Sequence, residues 1–359
     1  MDNNVLFVLD GPSPYRVKFL NLLSKQMNIF VVFSASKTKQ RVDGWLTTRN
    51  IDFDYIVLDD KNCEENKFSL KLVKFLMKNR FKSIVICNPT NLSSICGMYY
   101  LKIKRINYSI EIDGAFYRKN FIKNIIKKSV FYNAKYALSP NYLSDIYLVK
   151  NGVKYENIIR YPFSSLMEKD IKNISINDKV LAKTRIGIKN KLTLLFVGSF
   201  SVRKNVLKTA ELLMKLKYID FQALFIGAGP LKEELLSLTS KDSRISIIKH
   251  MDYEDLKQYY NASDIFILLT NEDIWGLVIN EALSHGLFCI TTSRCGAAQE
   301  LIQNEKVGYI VKDLTEYEIE KGINQYLKNK NRVIPECIKI AKEYTIENMV
   351  KKHIDLFMD

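Results

Sequence analysis

A repeating alternation constrains this chain more than any other feature: short apolar runs of strand length, each followed by a stretch with helical spacing. In the first half the runs fall at 5–9, 28–34, 53–58, 83–87, 106–112 and 134–139. Helices are predicted between them at 15–26, 67–80, 93–105, 118–132 and 140–151. Residues 164–190 are polar, rich in Lys and Asn and weakly periodic, as expected of an interdomain linker. A second series opens at 192–198 and continues through 221–227, 245–249, 265–269, 287–292 and 307–311, and 335–358 reads as two consecutive helices. Apolar strands separated by helices belong to parallel sheets covered on both faces. The expected fold class is therefore α/β, with two Rossmann-like, doubly wound parallel sheets. A chain of 359 residues also exceeds what one core comfortably holds. The predicted division is 1–170, 171–344, and a C-terminal helix at 345–359 that packs back on the first domain.

Composition narrows the class. Six cysteines, at 63, 87, 96, 289, 295 and 337, form no Cys-x-x-Cys pair, and three histidines stand apart at 250, 285 and 353. That spacing argues for a reducing compartment and against a structural zinc site. Residues 5–9 make a strand-length run rather than a signal peptide, and no apolar run is long enough to span a bilayer. A cytoplasmic protein is expected. The net charge of +15 favours phosphate-rich partners (nucleic acid, anionic lipid or nucleotides) without choosing among them, and part of it reflects a Lys- and Asn-rich composition.

The richest stretch for chemistry is Thr270–Gly286, where Asp273 and Glu281 have seven residues between them across a strand-to-helix turn. Such a turn lies at the carboxyl end of a parallel strand, where open α/β sheets bind ligands. Helical side chains lean toward the amino terminus, so Glu281 reaches back toward Asp273. Acids at a helix start also simply stabilise its dipole. His285, beside Gly286, suits a helix end. Asp273-Ile-Trp275-Gly276-Leu277-Val-Ile-Asn-Glu281-Ala-Leu resembles the acidic signature of glycosyltransferase family 4, retaining enzymes of the GT-B fold that use sugar nucleotides. The signature is Glu, seven residues, Glu; here Asp273 holds the first position with Glu272 before it, so either carboxylate is a candidate for the sugar. The resemblance implies that the first acid binds donor-sugar hydroxyls and the second the nucleotide ribose, with Trp275, Gly276 and Leu277 lining the donor.

Three further elements follow in order. Gly198–Ser199 ends a strand, and Arg203–Lys204 precedes a helix, an arrangement that suits an anion. The resemblance places Lys204 at the diphosphate-binding lysine; the family's usual arginine after the glycine is replaced by Ser199, and Arg203 is the candidate substitute. Gly227-Ala-Gly229-Pro230 is similar to a Gly-x-Gly-Pro near the nucleotide, although a tight turn accounts for such a motif equally well. Gly296-Ala-Ala-Gln-Glu300 resembles the loop before the family's Glu-containing helix, and Ile248 lies in the region facing the base.

The first half resembles bacterial polysaccharide-assembly members more faintly. Gly11 would let the backbone approach a donor phosphate, and Arg16 either holds an anion or braces its loop. Glu111 and Asp113 stand at a strand end where relatives carry a histidine, as acceptor-side candidates or a turn cap. Segment 118–135 carries Arg118, Lys119, Lys123, Lys127, Lys128 and Lys135 without an acid, opposite Phe121, Ile122, Ile125 and Ile126. That pattern fits a helix lying on an anionic membrane, or an ordinary helix with a solvated outer face.

The expected function is a retaining glycosyltransferase that moves a sugar from a nucleoside diphosphate, UDP favoured, to a hydroxyl of a glycan or lipid-linked acceptor in capsule or lipopolysaccharide synthesis. It would need no metal and no cofactor. The alternatives are a GT-B sugar-nucleotide epimerase and a basic nucleic-acid-binding protein; the latter has no zinc-finger, helix-turn-helix or aromatic-basic RNA motif behind it.

Overall fold

A computed structural model describes residues 4–34, 50–58, 69–87 and 89–357. The chain divides into two units, Met1–Ser165 with Thr345–Asp359, and Leu166–Tyr344. Cys63 and the first two positions of the helix expected at 67–80 lie outside the described residues.

The first unit holds β1 (Val5–Leu9), β2 (Ile29–Phe33), β3 (Asp54–Val57), β4 (Ser83–Cys87), β5 (Ser109–Glu111), β6 (Ala137–Ser139) and β7 (Ile158–Arg160). Their order is β3-β2-β1-β4-β5-β6-β7, parallel throughout. The helices between them are α1 (Pro14–Ser24), α2 (Lys71–Lys78), α3 (Leu92–Ile103), α4 (Phe121–Phe131) and α5 (Tyr142–Lys150). Every residue of β1 is buried because both faces are covered. Leu6 and Val8 join a core with Val32, Ile84, Ile86 and Ile110. Phe7 points the other way, against Phe19 of α1 and His353 and Phe357 of the C-terminal helix Ile346–Phe357. Burial of one such side chain contributes about 1.5–3 kcal/mol.

The second unit holds β8 (Leu192–Val197), β9 (Phe221–Gly227), β10 (Ile245–Lys249), β11 (Ile265–Leu268), β12 (Phe288–Thr292) and β13 (Gly308–Val311), in the order β10-β9-β8-β11-β12-β13. Its helices are α6 (Ile176–Arg185), α7 (Val206–Lys215), α8 (Lys232–Thr239), α9 (Tyr253–Asn261), α10 (Leu277–Ser284), α11 (Gly296–Leu301) and α12 (Glu316–Glu343).

Three sequence expectations need correction. The stretch read as a linker at 164–190 contains α6, started by a capping box in which Ser175 and Asp178 satisfy each other's backbone N–H. Two lysines strap this helix to the sheet side of its own unit: Lys183 Nζ lies 2.6 Å from Asp264 Oδ2, and Lys179 Nζ donates to the carbonyls of Ser263 at 2.6 Å and His285 at 3.1 Å. Burial draws the Lys179 amine down to about 8. The tail is not a pair of helices beginning at 335; α12 runs through Pro335, which costs one ladder hydrogen bond but does not end the helix. β7, a three-residue edge strand, was not predicted.

Candidate active site

In the second unit the winding reverses between β8 and β11, which are adjacent and parallel with Leu194 opposite Ile265. Loops leaving two such strands at their carboxyl ends bound a crevice where open α/β sheets bind ligands. One loop carries Gly198 to Asn205, the other Leu269 to Gly276. Five hydrogen bonds weld them together. Asn271 N and Thr270 Oγ1 both donate to Arg203 O at 2.9 Å, and Asn271 Nδ2 donates to Val202 O at 2.8 Å. Asn205 Nδ2 donates to Leu269 O at 3.0 Å, and Arg203 Nη1 to Glu272 O at 3.1 Å. Arg203, Lys204 and Asp273 are thereby brought together.

Lys204 and Asp273, each 8% exposed, form a buried ion pair through Nζ and Oδ2. Arg203 approaches Asp273 Oδ1 to 3.6 Å from a half-exposed position. Asp273 is itself held by its backbone, donating to Arg294 O at 3.0 Å and accepting from Gly296 N at 2.9 Å. Gly276 follows at φ +99, where an added Cβ would lie 2.6 Å from Cys295 Sγ and 3.4 Å from Asp273 Oδ2. No larger residue fits that turn. Burial, reinforced by Asp273, pushes the Cys295 thiol up to about 12, so it stays protonated and donates to Trp275 O.

Trp275 is 2% exposed, with Nε1 donating to Asn280 Oδ1 at 2.8 Å and its ring against Tyr344, so its side chain forms the floor of the loop. Leu277 begins α10, whose positive dipole end therefore opens beside Asp273. Glu281 sits one turn further along and accepts from Tyr260 OH at 2.8 Å. Glu272, partly exposed, supplies a backbone carbonyl to Arg203. Ser199 is exposed beside Gly198.

The two glycines after β9 answer to packing. A Cβ on Gly227 would fall 2.0 Å from Gly198 O, and one on Gly229 would fall 2.4 Å from Phe200 O. They are where the loop after β8 crosses the next loop, closed by Phe200 N to Ala228 O at 2.9 Å. Ile248 lies on the edge strand β10, paired with Ile226 and two strands from β8, about 10 Å away. Glu300 is on α11.

The acceptor-side candidates meet in the first unit. Arg16 Nη1 donates to Glu111 Oε1 at 2.5 Å, Nη2 pairs with Asp113 Oδ1, and Tyr15 OH donates to Asp113 Oδ2 at 2.5 Å. The guanidinium packs over Phe19 and Phe163. Glu111 has no exposed surface, whereas the Asp113 side chain is 28% exposed. His353 of the C-terminal helix completes the cluster, with Nε2 3.3 Å from Glu111 Oε2 and Nδ1 2.7 Å from Met349 O. Burial alone would raise the Glu111 carboxyl, but Arg16 and His353 outweigh it and hold it well below the usual carboxylate range. Gly11, buried in the loop after β1, accepts from Ser13 N at 3.0 Å. Sequence reasoning missed His353 and Tyr260 as partners of these acids, since no local pattern announces either.

Two doubly wound parallel sheets of this kind define the GT-B fold. Anabaena Alr3699/HepE, solved in complex with UDP, superposes with a TM-score of 0.77 over 100% of both chains at 14% identity. A glycosyltransferase from Rickettsia africae gives 0.76 over 99% of this chain and 98% of its own at 15% identity. Within that fold, residues 181–344 match the model of the family Glycosyl transferases group 1. An uncharacterized glycosyltransferase of Haemophilus influenzae is 23% identical over 192 residues, 51% of this chain and 54% of that protein. The chain spans about half the length, or less, of the curated relatives it matches.

Proposed function

We propose that this protein is a retaining glycosyltransferase that moves a sugar from a nucleoside diphosphate, UDP favoured, to a hydroxyl of a glycan or lipid-linked acceptor. The observation that carries the reading is the convergence of Lys204, Arg203 and the start of α10 on Asp273 at the switch point of the second unit. Breaking the anomeric bond leaves negative charge on the departing diphosphate. Two cations and a helix dipole, already fixed in place, stabilise that charge without a metal. Asp273 and Glu281 serve as acceptors for sugar and ribose hydroxyls. Retention follows from attack on the face the leaving group vacates, with the departing phosphate oxygen taking the acceptor's proton. Arg16, Glu111 and Asp113 serve the acceptor side, Asp113 being the carboxylate with exposed surface. HepE binds UDP in its solved complex, which supports the choice of nucleotide.

Thermal-shift screening across UDP-, GDP- and ADP-sugars tests the reading. The cognate donor at a hundred times its Kd adds about 2.7 kcal/mol of stability. Donor incubated alone, with product analysis, separates transfer from isomerisation. No stabilisation by any of the three donor classes would end the proposal.

The acceptor reading includes the surface of α4. Phe121 is 81% exposed, Ile122 70% and Ile125 53%, while Val130 and Phe131 anchor the same helix in the core. Apolar side chains in water beside Lys119, Lys123 and Arg118 fit the inner face of an anionic membrane. Phe121→Ser combined with Ile122→Ser should reduce sedimentation with phosphatidylglycerol vesicles about tenfold or more. Equal sedimentation of both proteins would count against a membrane contact here.

A further inference from the structure

The Glu281 carboxylate accepts a hydrogen bond from a buried neutral side chain, and that side chain has no role in the chemistry proposed above. Tyr260, the penultimate residue of α9, is 0% exposed, and its hydroxyl lies 2.8 Å from Glu281 Oε2. Its ring is fixed from two sides of the fold. It stacks on His285 at 5.2 Å between centroids and 10° between planes, and it meets Phe266 of β11 at 6.1 Å. His285 is fixed in turn: Nδ1 lies 2.7 Å from Asn261 Oδ1, and its carbonyl accepts from Lys179 of α6 at 3.1 Å. Burial holds the imidazole near 3, so the stack is neutral at ordinary pH, and burial together with Glu281 keeps the phenol protonated.

We infer that Tyr260 is a positioning residue for donor recognition: its buried hydroxyl fixes the Glu281 carboxylate in the orientation that accepts the hydroxyls of the donor's ribose. The inference rests on the reading of Glu281 as the ribose acid. A glutamate on an unrestrained helix face gives up rotamer freedom when it binds. A carboxylate anchored through one oxygen has already given it up, which converts directly into ligand affinity. Lys179 belongs to the same device, since it pins α6 against the carbonyl end of the helix that carries Glu281.

The test compares UDP, GDP and ADP with their 2′-deoxy counterparts on the full chain by calorimetry. The wild type should prefer the ribose form of its nucleotide by about tenfold, the value of one good hydrogen bond to a charged acceptor. Tyr260→Phe keeps the ring and its stack and removes only the hydroxyl. It should bring that preference to within about twofold, raise KM for the donor about tenfold, and leave kcat at saturating donor within about twofold. Equal weakening of ribose and deoxyribose forms, with a lowered Tm, is what a purely structural tyrosine would give and would overturn the inference alone. A wild type that binds a nucleotide without preferring ribose, or binds none of the three, would overturn the reading of Glu281 and this inference with it.

Discussion

Lys204→Met should lower sugar transfer about a thousandfold, near 4 kcal/mol of transition-state stabilisation, with a smaller effect on KM. Lys204 is nine-tenths buried in the loop after β8, so its charge acts where water screens it poorly. The same substitution leaves Asp273 buried with Arg203, at 3.6 Å, as its ion-pair partner among the described residues. A buried carboxylate that loses its partner costs about 3–5 kcal/mol, so the variant should also melt lower. The double variant Lys204→Met with Asp273→Asn removes the stranded charge and should recover most of that stability while recovering none of the transfer. Recovery of both in the double variant would mean that the lysine serves the fold and not the reaction. Single-turnover transfer and thermal denaturation of the three proteins decide the matter.

Arg16→Met should destabilise the first unit by about 3–5 kcal/mol near neutral pH, because one guanidinium holds both Glu111 and Asp113. The pH dependence distinguishes this from a simple loss of packing. In the wild type the Glu111 carboxyl is depressed despite its burial, so its contribution to stability is present above the unfolded value of about 4.3 and lost as pH falls toward the folded one. Without Arg16 the effect of burial is opposed by His353 and no longer by the guanidinium. The carboxyl then takes up a proton more readily in the folded state, and acid costs the variant less than the wild type. The stability gap should narrow between about pH 7 and pH 4, as read by urea unfolding. A gap that stays constant or widens in acid would show that Arg16 does not carry the buried carboxylate.

The elements with a strong local signal were legible in the sequence. β1, β4, β9 and β10 were read to the residue, because an apolar run bounded by Gly, Asn or charged residues has one reading. The switch-point loops were legible too: Gly198 ends one strand ahead of Arg203 and Lys204, and Glu272 and Asp273 follow the apolar run of the other. β7 was not, since Ile158-Ile-Arg160 is too short and too partly buried to stand out from loop. α6 carried a readable start in Ser175-x-x-Asp178, but two lysines, Lys179 and Lys183, hid the face that it buries. Those lysines go inside because backbone carbonyls and Asp264 wait for them, and no local pattern reveals partners more than eighty residues away. Pro335 misled, because α12 tolerates it where its missing N–H costs little compared with the packing of a long amphipathic face. The carboxylates of the candidate site were visible, whereas Tyr260 and His353, which orient two of them, were not. Orientation is a tertiary property.

The interval from Glu111 to His353 is 242 residues, and the whole second unit lies inside it. During synthesis every residue of 166–344 therefore emerges before the helix that covers Phe7 and meets Glu111. The second unit is contiguous, whereas the first is closed only by a segment that follows it. The first sheet must wait for helix Ile346–Phe357 before Phe7 gains its contacts with His353 and Phe357. Anything that delays the stretch following residue 344 thus bears on an N-terminal half that was made long before.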